Sequence, residues 1–75
     1  MKYLELKIVM RSKAKLANGL VNLLKEDTKQ MCVDVEDFDM FSLNEAIKEA
    51  KRTSQNLVDT INDLEHDLRI ARQDI

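Results

Sequence analysis

Tyr3-Leu4-Glu5-Leu6-Lys7-Ile8-Val9-Met10 is the stretch on which the fold class turns. Leu4, Leu6, Ile8 and Met10 fall on one side of a two-residue alternation; Tyr3, Glu5, Lys7 and Val9 fall on the other. Period two is the pattern of a strand with one buried face. Read as a strand, these residues make the fold α+β. Read as a helix, they leave an all-α helical bundle. The alternation predicts the strand, closed by Arg11-Ser12-Lys13, with Ser12 placed to cap the helix that follows.

From about residue 13 to 26 the spacing becomes helical. Leu16, Leu20, Leu23 and Leu24 recur with Ala17 and Val21 between them, a wide apolar stripe. Gly19 lies inside this helix at a cost of about 1 kcal/mol relative to alanine. Asn18-Gly19 is also a hairpin-turn dipeptide, but Leu16-Ala17 and Leu20-Val21 do not alternate as strands would. After a polar break over Glu26 to Lys29, Met31, Val33 and Val35 alternate with Cys32, Asp34 and Glu36, which predicts a second, shorter strand. Asp37 to Met40 reads as a turn, with Phe38 and Phe41 as plugs of a small core. A strand–helix–strand crossover favours a parallel pair, and two strands alone are marginal. The expected organisation is a β-α-β unit over residues 1–41 and a long helix over 42–75, within one domain.

Ser42-Leu43-Asn44-Glu45 reads as a capping box, and nothing breaks a helix from there on. Thirty-four residues give a rod of roughly 50 Å. Leu43, Ile47, Ala50, Ser54, Leu57, Ile61, Leu64, Leu68, Ala71 and Ile75 follow steps of four and three without a slip, the coiled-coil template. Position a holds Ile47, Ser54, Ile61, Leu68 and Ile75; position d holds Leu43, Ala50, Leu57, Leu64 and Ala71. Isoleucine at a with leucine at d leans toward a parallel dimer. Ile47, Leu57, Ile61, Leu64 and Leu68 are the expected oligomerisation residues, because a chain this short cannot cover such a rod alone.

Composition narrows the function classes. The 75 residues are 44% hydrophobic and 35% charged, with one glycine, no proline and one cysteine. No apolar run is long enough to span a membrane. The first residues lack the apolar core of a signal peptide. One cysteine allows neither an internal disulfide nor a cysteine-based zinc site, and it fits the cytoplasm. One glycine cannot build a phosphate loop. Asp34, Glu36, Asp37 and Asp39 lack the spacing and glycine of a calcium loop. His66 falls at an outward f position, and nothing pairs it with Cys32. Neither a catalytic site nor a cofactor is expected.

Charge is uneven beneath the net of −2. Residues 1–30 carry seven Lys/Arg against three Asp/Glu, and residues 31–41 carry four acids and no base. Arg11, Lys13 and Lys15, with Lys7, form a basic joint at the expected start of the first helix, where free N–H groups would favour an anion. That joint and the acids Asp34, Glu36, Asp37 and Asp39 are the candidate partner-binding residues. The charge balance does not by itself predict nucleic-acid binding.

An N-terminal strand, a helix, and Ser42-Leu43-Asn44-Glu45-Ala46-Ile47 opening a second helix resemble the ribbon-helix-helix repressors. The resemblance implies a dimer with paired strands in the DNA major groove. The family joins its helices by a short turn, whereas Met31 to Glu36 and an acidic loop intervene here. The leading expectation is a small non-catalytic interaction protein: an adaptor, inhibitor or regulatory subunit. It would bind and occlude a partner of unknown identity, as phage and mobile-element proteins do with host machinery. The alternative is a DNA-binding regulator.

Overall fold

The computed structural model describes residues 2–73 and contains two helices, α1 (Lys2–Glu36) and α2 (Met40–Gln73). They run antiparallel, and their Cα atoms fill a rod of 55 × 14 × 12 Å. No strand occurs among the described residues. The α+β expectation is thus overturned, and the all-α alternative is the fold. Both expected strands, over residues 3–10 and 31–36, belong to α1, as do the expected helix of residues 13–26 and its polar break.

The reason lies in a seam that a count of apolar residues overlooks. The buried and half-buried positions of α1 are Leu6, Met10, Lys13, Ala17, Leu20, Leu24, Asp27, Met31 and Asp34, with Val21 beside them. Their steps of four and three are a heptad repeat, disguised by Lys13, Asp27 and Asp34. Leu4 and Ile8, which the strand reading joined to Leu6 and Met10, are exposed. With no proline, and with Gly19 in open space inside the helix, nothing stops α1 before residue 36. Ser12 therefore caps nothing, and the basic joint lies mid-helix, away from any helix N-terminus.

The turn is a Schellman motif. Asp39 donates its N–H to the Asp34 carbonyl at 2.9 Å, and Phe38 donates to Val35 at 3.1 Å. That geometry needs a left-handed residue, and Phe38 supplies it with φ of 55°. A side chain there costs about 1–2 kcal/mol, where glycine costs nothing. Phe38 gains no burial in return: it is 82% exposed, and Phe41 is 75% exposed. The rings are not core plugs. Phe38→Gly is expected to raise the melting temperature, measured by circular dichroism, because relief of the φ strain outweighs the added freedom of the unfolded chain.

Asp39, not Ser42, caps α2. Its Oδ1 accepts the Ser42 backbone N–H at 3.1 Å, and its Oδ2 accepts the Ser42 hydroxyl at 2.8 Å. These bonds, the backbone one first, hold its carboxyl below the ordinary 3.8. A carboxyl depressed by folding stabilises the fold fully above its unfolded value and loses that contribution as pH falls through its folded value. The start of α2 is therefore expected to loosen in acid below about pH 4. Asp39→Ala removes this part of the acid sensitivity and lowers the melting temperature at neutral pH. Thermal melts across a pH series check both.

On α2 the buried residues are Ala46, Ala50, Thr53, Thr60 and Asp67. Among the described residues, the two alanines are the only buried apolar ones, and no side chain is fully enclosed. The large apolar residues of the seam are only half-buried. No helix among the described residues is long and apolar enough to cross a membrane.

Candidate interaction surface

The heptad stripe of α2 divides in two. The d positions Leu43, Leu57, Leu64 and Ala71 are half-buried and Ala50 is buried, together with the neighbouring g positions Ala46, Thr53, Thr60 and Asp67. These d and g residues pack against α1. The described a positions point away: Ile47 and Leu68 are exposed, and Ile61 is 51% exposed. Ile75 lies outside the described residues. Small residues explain the choice of seam. Alanine and threonine at g let the helices approach closely, and the bulkier a positions are left outside.

Lys13 and Asp67 lock the open end of this seam. Lys13 Nζ donates to Asp67 Oδ2 at 2.7 Å, with side chains 30% and 9% exposed. A charge pair at seam positions fixes register. Near the turn, Asp34 is 3% exposed; its Oδ1 accepts from Gln30 Nε2 at 2.9 Å, while its Oδ2 has no partner. Thr60 turns its hydroxyl to the Asn56 carbonyl at 2.8 Å, which lets a polar residue sit in the seam without an orphaned donor.

The expected partner-binding residues therefore separate. Arg11 and Lys15 are exposed, as are Glu36, Asp37 and Asp39. Lys13 and Asp34 are internal parts of the hairpin. Both the basic and the acidic group lose a member to the seam, which the presence of charged residues at heptad spacing could have signalled. Of the expected oligomerisation residues, Leu57 and Leu64 serve the hairpin, while Ile47, Ile61 and Leu68 stay available.

Around Ile61 and Leu68 lies an apolar surface. Lys7, Met10, Arg11 and Ala14 of α1 meet Ile61, Leu64, Glu65 and Leu68 of α2 along an open groove of about 670 Å³. The heptad spacing of Lys7 and Ala14 continues through Val21, Thr28 and Val35 on the same side of α1. This second stripe on α1 is the feature that a strand reading of its two ends hides.

Charge is graded along the rod. In the 23 residues nearest the turn (28–50), six acids oppose two lysines, a net of −4. In the 23 residues at the open end (4–15 and 63–73), six bases oppose four acids, a net of +2. The surface ion pairs Lys48–Glu45, Arg52–Glu49 and Arg69–Glu65 are exposed and local, worth little each.

Among the described residues no three metal-ligating side chains cluster. Cys32 is exposed near the turn. His66, one residue before the partner of Lys13, is at the open end. The 18 residues of α1 between those levels separate the two side chains by about 27 Å along the rod. Comparison with protein-family models, with curated proteins and with solved structures returns no match.

Proposed function

We propose that this chain is a non-catalytic interaction protein of the cytoplasm that acts as an assembly of its own copies, a dimer in the simplest case. One observation carries the reading: among the described residues the large apolar side chains of the seam are only half-buried, while Leu16, Leu23, Ile61 and Leu68 stand exposed. Burial of large apolar side chains is the dominant source of stability, and this hairpin leaves much of that surface uncovered. Occlusion of a partner's surface, as an adaptor, inhibitor or regulatory subunit, is the role such an assembly suits. The ribbon-helix-helix alternative needs a strand over residues 3–9, and α1 occupies them. Light scattering at micromolar concentration is the test. A mass of at least twice 8.7 kDa supports the reading; a monomer at all accessible concentrations overturns it.

A further inference from the structure

We infer that two copies pack side by side with their turns at opposite ends, each covering the other's Ala14–Val21 and Ile47–Ile61–Leu68 stripes, to give an antiparallel four-helix bundle. This rests on the self-association proposed above and adds the face and the orientation. Area is the first argument. The chain exposes 6110 Å², whereas a compact protein of its mass exposes ~4,700 Å². The excess is more than the ~800 Å² that each partner buries in a standard interface.

The face follows from the groove, where apolar residues of both helices adjoin: Ala14 and Met10 from α1, Ile61 and Leu68 from α2. On the opposite side of the seam α1 offers Val9, Leu16 and Leu23, but the α2 positions beside them are Ser42, Glu49, Asn56 and Asp63, with only Ile70 apolar. A helix pair offering one two-helix apolar face is completed by a second such face.

Orientation follows from charge. With turns together, the two ends of net −4 would lie side by side. With turns opposed, each acidic end lies beside an end of net +2, and Lys7 comes level with Val35 of the second copy, one residue from its Glu36. Like charges placed together disfavour a wrong arrangement. The apolar register agrees. A two-fold axis at the level of Val21 sets each Val21 against its copy, Ile47 near Leu68, and Ser54 near Ile61.

Turn-to-turn distance decides the matter. A nitroxide is placed on the turn in the Cys32→Ser/Asp37→Cys protein, and the spin–spin distance is read by pulsed electron resonance beside the sedimentation mass. Opposed turns give a dimer with labels about one helix length apart, on the order of 50 Å. Dimers with labels closer than ~20 Å, two neighbouring helix spacings, overturn the orientation and leave self-association standing. A monomer mass with no intermolecular distance overturns self-association itself. Cys32→Ser/Val21→Cys adds the face: under mild oxidation it forms a disulfide-linked dimer. A long turn-to-turn distance without that cross-link would place the contact elsewhere and overturn the face assignment.

Discussion

Ile61→Lys is expected to weaken the proposed self-association by about a hundredfold and to bring the mass to that of a monomer at micromolar concentration. Burying a whole isoleucine is worth about 1.5–3 kcal/mol, and Ile61 leaves half of itself exposed in the hairpin. Two copies contribute to each interface, so about 1.5–3 kcal/mol is lost per dimer. A lysine that cannot keep its charge in water adds to that loss, and each 1.4 kcal/mol is tenfold in affinity. Gln55→Lys, on the outer surface of α2, should leave the mass unchanged. If both variants stay dimeric, the a stripe of α2 is not the contact. Sedimentation equilibrium of the two variants beside the wild type measures the difference.

The second large effect is internal. Lys13→Met strands the carboxylate of Asp67, whose side chain is 9% exposed, at a cost of about 3 kcal/mol. Asp67→Leu strands Lys13 instead. That side chain is 30% exposed and can swing its ammonium into water, so the loss is smaller, about 1 kcal/mol. The double change Lys13→Met/Asp67→Leu puts apolar groups against each other and returns stability to within about 1 kcal/mol of the wild type, or above it. Urea melts of the four proteins give the coupling. Equal losses in the two single variants, or strict additivity in the double, would show that the pair is not buried in the working fold. Lys15→Glu is the neutral charge reversal in this region, whereas Lys13→Glu would set two carboxylates together.

Legibility in the sequence differed sharply between the helices. In α2 the seam candidates were aliphatic or small and in phase, so its extent and heptads were readable from Leu43 to Ala71. In α1 the same repeat runs through Lys13, Asp27 and Asp34, and an apolar count sees fragments. Leu4 and Ile8 then fill the gaps between Leu6 and Met10 and imitate a strand. The partner of α2's stripe was misread for a related reason. The a and d positions carry the largest residues, yet the hairpin closes on d and g, where Ala46, Thr53 and Thr60 allow a closer approach. Leu57, Ile61, Leu64 and Leu68 read as one apolar band in the sequence, but the band divides: Leu57 and Leu64 face α1, and Ile61 and Leu68 face outward. The turn was legible at Asp37 to Met40, but its chemistry was not, since a left-handed phenylalanine gives no glycine signal and Asp39 lies three residues ahead of the expected cap. The acidic and basic groups were seen as charge runs; that Asp34 and Lys13 turn inward depends on the helix phase, which the strand reading had lost.

On the proposed function, this hairpin's own core is insufficient and a second copy holds it folded. Thermal unfolding followed by circular dichroism at protein concentrations spanning two orders of magnitude tests it most directly. Association that stabilises only the folded chain makes the melting temperature depend on concentration. A midpoint that rises steadily with concentration is expected; a midpoint that stays constant, with a monomer mass across the range, would contradict the claim.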